Sequence, residues 1–323
     1  MGGVFESSPS SRRSGLLRLA AGCTALLALV GYLVLHLVTS GSTPPRCTVR
    51  GPGQNGTPFT LQPEQAVNAA TIEAVGSSRG LPERAITIAL AAAMQESGLR
   101  NIDYGDRDSL GLFQQRPSQG WGTGAQIRDP VYAAGKFYDH LVTVPGYSRL
   151  PLTVAAQRVQ KSGFPQAYAK HEPHASLLAA ALTGRSSAAF SCTSHVGSST
   201  AGDVTRVQKK LMREFGRDVL PVPRAAVRES GSSGSPRAAA GSGAAGGATL
   251  EVPVRAVRTD GGDARRGWEL AHWAVAHATE LHIAQVSYGG RVWSSSNSDG
   301  AWRPSGAESG AGVRGEVRIT IVQ

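Results

Sequence analysis

Apolar residues recur at helical spacing through the middle of the chain and alternate with polar residues near its end. After Pro82 they return every three or four positions, as Ile86 and Leu90 do, until the segment stops at Gly98. Proline at the start and glycine at the end predict a helix between these two residues. Residues 313–322 alternate apolar and polar side chains, which is typical of a strand.

A long apolar run precedes these segments. Residues 19–38 carry few polar side chains, and a bilayer-spanning helix needs about 20 apolar residues. Arg12, Arg13 and Arg18 precede the run, which favours a cytoplasmic N-terminus at 1–18. We expect a single transmembrane helix that is either retained as an anchor or cleaved as a signal. The rest of the chain would then lie outside the cytoplasm, or be secreted after cleavage.

Two stretches rich in glycine and serine divide the remaining chain. They predict a linker at 193–203 and a flexible insertion at 231–248. Apolar residues between them have helical spacing, from Val204 to Phe215. The predicted domains are therefore 47–192 and 204–323.

The end of the chain predicts one helix followed by a hairpin. A helical pattern covers about 267–281, and two short apolar runs flank Gly289 and Gly290, a favoured two-residue turn. The expected fold is therefore a mainly α domain followed by a small α+β domain, both behind the transmembrane helix.

Glu96 is the candidate for acid chemistry. It stands in the last turn of the predicted helix, just before Gly98, and its alanine-rich surroundings suit close packing. Loss of solvent would raise its pKa, and a carboxylic acid protonated near neutral pH can protonate a glycosidic oxygen. The alternative is an ordinary solvated glutamate at a helix end.

Three motifs carry a family resemblance over about residues 61–181. They are Glu96-Ser97-Gly98, the segment Gly-Leu-Phe-Gln-Gln-Arg-Pro at 111–117, and the Asp-Pro segment at 129–138. They resemble the soluble lytic transglycosylases and goose-type lysozymes of the lysozyme-like superfamily. The resemblance implies a bacterial enzyme that cleaves the bond between N-acetylmuramic acid and N-acetylglucosamine in peptidoglycan, with Glu96 first as acid and then as base. The alternative is a non-catalytic wall-binding protein that keeps the cleft.

The chain departs from this family where a tyrosine is expected near the acid. Gln157, Gln160, Ser162 or Tyr168 are the side chains that could replace its polar contacts. The predicted substrate-binding residues are Ser109, Gln114, Gln115, Gln160 and Tyr168.

Acidic residues between the first two motifs offer a different mechanism. An inverting hydrolase needs a second carboxylate about 6.5–9.5 Å from the acid, and Asp106 or Asp108 could serve. The competing interpretation is that these aspartates shape a turn and pair locally with Arg107.

Cysteine usage fits an oxidising compartment. Cys47 and Cys192 bracket the predicted enzymatic domain, so we expect a disulfide between them.

The last seventy or so residues weakly resemble zinc-dependent D-alanyl-D-alanine carboxypeptidases. By this resemblance Glu251 stands at the family's first histidine, Arg258 at its aspartate, and Glu316 and Arg318 at its final His-x-His pair, so every expected ligand is lost. Guanidinium groups do not bind metal ions, so we expect no metal, no other cofactor and no peptidase activity.

The net charge of the chain indicates which kinds of molecule it can bind. A net charge of +10 suits anionic wall polymers or a membrane surface, in addition to the glycan strands themselves. The basic residues are dispersed and are not interleaved with aromatic ones, which argues against nucleic acid.

Overall fold

The computed structural model describes residues 11–39, 44–51, 58–193, 201–220, 248–254, 262–306 and 315–322. The chain forms two compact units, Met1–Pro44 and Pro45–Gln323. Most of the predicted linker and insertion, at 194–200 and 231–247, lies outside the described residues, as does Arg258.

The first unit contains helix α1, Ser11–Thr39. In the described part of the chain, no helix combines the length and the apolar character required to cross a membrane. The predictions of a transmembrane helix and of a single-pass membrane location are corrected by this finding.

Helices dominate the first part of the second unit. They are α2 (Pro63–Ser78), α3 (Glu83–Ser97), α4 (Gly124–Ile127), α5 (Pro130–Val142), α6 (Leu152–Gln160) and α7 (Glu172–Leu182). Short 3₁₀ helices occupy Pro117–Gln119 and Pro165–His171. The predicted helix after Pro82 is confirmed as α3, because Pro82 is its N-cap and Gly98 ends it in the left-handed conformation at φ 63°.

A small antiparallel sheet joins the two ends of this helical part. Its strands are β1 (Arg46–Val49), β2 (Phe59–Leu61) and β3 (Phe190–Thr193), in the order β2-β1-β3. Cys47 and Cys192 face each other across β1 and β3 and form the predicted disulfide, which is confirmed. The expectation of a mainly α domain followed by a small α+β domain is wrong, because the described residues form a mixture of helix and sheet, 53% helical.

A second sheet and three helices are formed by the described residues in the rest of the unit. The helices are α8 (Val204–Phe215), α9 (Gly262–Ala276) and α10 (Ala278–Leu281), with a 3₁₀ turn at Arg217–Val219. The strands are β4 (Thr249–Pro253), β5 (Ile283–Tyr288), β6 (Arg291–Ser294), β7 (Arg303–Pro304) and β8 (Glu316–Ile321), ordered β4-β8-β5-β6-β7. The predicted hairpin is confirmed, since β5 and β6 pair around Gly289 and Gly290, both at positive φ.

The two parts of this unit share one hydrophobic core. Helix α9 packs against α2, α7 and β3. The Trp293 indole donates a hydrogen bond to the Cys192 carbonyl at 3.0 Å, and the Trp302 indole donates one to the Phe190 carbonyl at 2.8 Å. Strand β3 is at the edge of its sheet, so these indoles satisfy carbonyl groups that no neighbouring strand pairs. The C-terminal part therefore completes the fold.

Candidate functional site

Glu96 lies in the last turn of α3, in partial contact with solvent. Burial raises the pKa of its carboxyl group, although hydrogen bonds from Tyr168 and Gln160 act in the opposite direction. The Tyr168 hydroxyl donates to Glu96 Oε1 at 2.6 Å, and burial together with this bond raises the pKa of Tyr168. Glu96 is thus a carboxyl group that favours its proton and is held by neutral donors.

The Gly-Leu-Phe-Gln turn is fastened to the end of the same helix. Ser97 Oγ donates to the Leu112 carbonyl at 2.8 Å, and Gln160 Nε2 donates to the Phe113 carbonyl at 2.8 Å. Two backbone hydrogen bonds between Leu110 and Gln115 close the turn. Helix α3, this turn and the end of α6 are therefore held together around Glu96.

The glutamines of the turn lie in different environments. Gln114, at φ 48°, donates from its amide to the Tyr104 carbonyl at 3.2 Å and lies on the half-exposed side of the turn. Gln115 is 2% exposed and donates to the Ala133 carbonyl, and Ser109 is also buried. Gln114 is therefore more accessible from solvent than Gln115 or Ser109.

Tyr168 is the side chain that contacts Glu96 where the family tyrosine is missing. It belongs to the 3₁₀ helix Pro165–His171 and is separated from Glu96 by 72 positions in the chain. Gln157 instead donates to the Ser162 carbonyl at 2.7 Å and supports the loop that leads to Tyr168. Of the four alternatives, Tyr168 and Gln160 adjoin the acid.

The two candidate second carboxylates differ in their partners. Asp108 accepts hydrogen bonds from Arg116 Nε at 2.7 Å and from the Ser118 amide at 2.8 Å, and these bonds lower the pKa of its carboxyl group strongly. Asp106 has a side chain 92% exposed, with Arg107 3.9 Å away. Asp108 thus has the turn-forming role that the sequence offered as an alternative.

Sequence reasoning missed a buried ionic cluster between α8 and α9. Glu214 is 2% exposed and accepts from the Trp273 indole at 2.7 Å, and His277 Nε2 lies 3.5 Å from the same carboxyl oxygen. Glu280 and Lys210 complete the cluster at the partly exposed edge. These charges raise the pKa of His277 and lower that of Glu214, each against the effect of burial. No local pattern in the sequence shows what packs against this histidine.

A second buried pair joins α2 to α9. Glu73 is 1% exposed, and burial followed by the charge of Glu269 raises its pKa well above the usual value. Arg266 donates to Glu269 at 2.7 Å and to Ser77 at 3.1 Å. Glu73 therefore favours its proton beside the arginine-bound Glu269.

Three of the residues at the expected zinc-ligand positions form ion pairs with one another. Arg318 Nη2 lies 3.1 Å from Glu251 Oε1 and 3.0 Å from Glu316 Oε1, on paired strands β4 and β8. Within the described ranges, no group of three or more histidine, cysteine, aspartate or glutamate side chains is arranged to hold a metal ion.

Comparison with known proteins gives one partial match. A family model described as VldE, C-terminal domain, matches residues 199–312, which is about a third of the chain. No curated protein matches the chain. The match covers the α8–β7 region, and the part that holds Glu96 lies outside it.

Proposed function

We propose that this protein cleaves the glycan strands of peptidoglycan at the bond between N-acetylmuramic acid and N-acetylglucosamine. The observation that carries the proposal is Glu96, a partly buried carboxyl group with a raised pKa and with the Tyr168 hydroxyl 2.6 Å away. A proton donor of this kind is what departure of a sugar requires. The motif resemblance supports the same substrate.

The reaction begins when Glu96 gives its proton to the glycosidic oxygen. The bond from that oxygen to C1 of N-acetylmuramic acid breaks, and its electron pair stays on the departing sugar. The acetamido oxygen of the muramic acid forms a bond to C1 in its place. Glu96 is now a carboxylate, and the hydroxyl of Tyr168 stabilises it by hydrogen bonding.

Glu96 then acts as the base. It takes a proton either from water, whose oxygen attacks C1 and gives a reducing end, or from the sugar's own 6-hydroxyl, whose oxygen attacks C1 and gives a 1,6-anhydro end. In both cases the bond from C1 to the acetamido oxygen breaks, and its electron pair returns to the acetamido group. The first outcome defines a lysozyme and the second a lytic transglycosylase. The formal charge of +10 would add attraction to anionic wall polymers.

A second candidate function is binding of glycan without cleavage. The observation that favours it is that Tyr168 and Gln160 both donate to Glu96, which opposes protonation. A site of this kind would hold a glycan strand and leave its bonds intact.

The deciding experiment compares the unmodified chain with Glu96→Gln on purified peptidoglycan. We expect the unmodified chain to release muropeptides, with mass spectrometry identifying the new ends. The amide keeps the shape of the side chain but cannot supply an acidic proton, so the rate should fall by at least about 10²-fold. Thermal unfolding of both proteins is the control for folding. Near-normal cleavage by the variant, or no cleavage by the unmodified chain, would refute the proposal.

A further inference from the structure

Two exposed aromatic side chains lie on the loops that adjoin Glu96. Among the described residues of Pro45–Gln323, the exposed large hydrophobic side chains are Tyr104, Val142 and Phe164, at 70%, 50% and 76% exposure. Single exposed hydrophobic residues need no explanation when they are scattered over a surface. Here, however, both aromatic ones belong to the loops next to the candidate acid.

Tyr104 is held against the Gly-Leu-Phe-Gln turn by its backbone. Its carbonyl accepts a hydrogen bond from Gln114, and the next residue, Gly105, lies so close to the Gln114 amide that a Cβ there would collide with it. The same turn is joined to Ser97, the neighbour of Glu96, through the Leu112 carbonyl. The backbone of Tyr104 is therefore fixed, while its ring extends into solvent.

Phe164 has the same arrangement on the other loop. Its amide donates to Ser162 Oγ at 3.2 Å, and Gln157 holds the Ser162 carbonyl at 2.7 Å. Phe164 caps the 3₁₀ helix Pro165–His171, and Tyr168 in that helix contacts Glu96. An ordered loop thus presents a phenyl ring to solvent four positions before the residue that contacts the acid.

We infer that Tyr104 and Phe164 are stacking platforms for the sugar rings of a glycan strand. The inference rests on the proposed function and adds the residues that select its substrate. Pyranose rings have apolar faces whose C–H groups carry partial positive charge, and an aromatic face carries partial negative charge. Ligand sites commonly combine such apolar surfaces with a few polar groups, here Gln114 and Glu96. Two platforms on two loops would favour a strand of several sugars over a disaccharide.

The test measures binding of peptide-free glycan strands by the full-length chain carrying Glu96→Gln, so that cleavage does not interfere. We expect Tyr104→Ala and Phe164→Ala each to weaken binding about fivefold to tenfold. Val142→Ala is the matched control, since it removes an exposed hydrophobic side chain from the end of α5, and it should leave affinity unchanged. Tyr104→Phe and Phe164→Tyr keep the ring and should retain affinity.

Equal affinity for glycan strands in all these variants would refute the stacking role of Tyr104 and Phe164. In chains with an intact Glu96, the alanine variants should raise KM and change kcat by less than about twofold, because the platforms act on binding. If the unmodified chain binds strands through both rings but never cleaves them, the stacking role of the two rings is supported and the cleavage reaction is refuted. If it cleaves with unchanged KM in both alanine variants, the reaction stands and the platforms are refuted.

Discussion

Glu96 and Glu214 occupy equivalent places in two helices, yet their surroundings differ. Each is the penultimate residue of its helix, α3 or α8. Glu96 is partly open to solvent, and burial raises its pKa although the hydrogen bonds from two neutral groups act in the opposite direction. Glu214 is 2% exposed and faces His277 and Lys210, whose charges lower its pKa despite burial. One carboxyl group favours its proton, and the other stays ionised.

This difference separates a group suited to chemistry from one suited to holding the fold. A proton donor needs contact with solvent and neighbours that do not fix its charge. Glu96 is partly exposed, and the groups that donate hydrogen bonds to it are neutral. Glu214 accepts from Trp273 and from Thr71, so it connects α8 with α9 and α2. Burial of a carboxyl group therefore identifies a candidate acid only when cations are absent from its contacts.

The largest expected effect is that of Glu214→Gln on stability. The substitution removes the negative charge that faces Nε2 of the buried His277. Breaking a buried ion pair in this way typically costs about 3–5 kcal/mol. Denaturant unfolding near neutral pH would measure this loss. Cleavage per folded molecule should not change.

Glu280→Gln is the matched control for that measurement. Glu280 contacts the same histidine at 3.2 Å, but its side chain is 34% exposed. Solvent compensates in part for its removal, so the loss should be clearly smaller than for Glu214→Gln. Equal losses in the two variants would show that burial of Glu214 does not determine its contribution.

A third carboxyl group sharpens the comparison, because Glu73 is as buried as Glu214 but its pKa is raised. The raised pKa of Glu73 means that its contribution to stability is complete below its unfolded pKa of about 4.3 and is lost as pH rises toward its folded pKa. Glu269, Arg265, Arg266 and Tyr138 are the titratable groups that surround it. Glu73→Gln replaces the carboxyl group with a neutral hydrogen-bond donor that does not titrate, so the variant should not lose this stability as pH rises.

We therefore expect the stability of the unmodified chain to decline relative to Glu73→Gln by up to about 1.4 kcal/mol per pH unit above pH 4.3. Denaturant unfolding at several pH values would give the two slopes. Glu64→Gln, an exposed position on the same helix α2, is the control and should leave the slope unchanged. Parallel slopes for the unmodified chain and Glu73→Gln would mean that Glu73 is ionised in the fold.

Local signals in the sequence predicted the elements that local chemistry determines. The caps at Pro82 and Gly98 fix α3, and the Gly289-Gly290 turn fixes the β5–β6 hairpin. The sheet β2-β1-β3 was missed because its strands are three or four residues long and pair with partners far along the chain. Short strands carry little pattern of their own.

The site was predictable in the same uneven way. Glu96 and Gln114 stand in motifs, so the sequence identified them. The Tyr168 contact was one of four alternatives, because only the packing of the 3₁₀ helix on α3 brings it to Glu96. The pairing of Glu214 with His277 depends on how α8 meets α9, which no local pattern contains.

The smallest expected effect is that of Asp106→Asn on cleavage, and it tests whether one carboxyl group is enough. Asp106 is 92% exposed and its nearest ionic partner is the adjacent Arg107, so the geometry gives it no fixed position from which to activate water. With Glu96 as the only acid and base, cleavage of peptidoglycan by Asp106→Asn should stay within about twofold of normal, whereas loss of a general base typically costs about 10²–10⁴-fold. Asp108 is less suitable for this test because its substitution would also disturb the turn at Arg116 and Ser118. A drop comparable to that of Glu96→Gln, together with an inverted product, would replace the single-glutamate mechanism with a paired-carboxylate one.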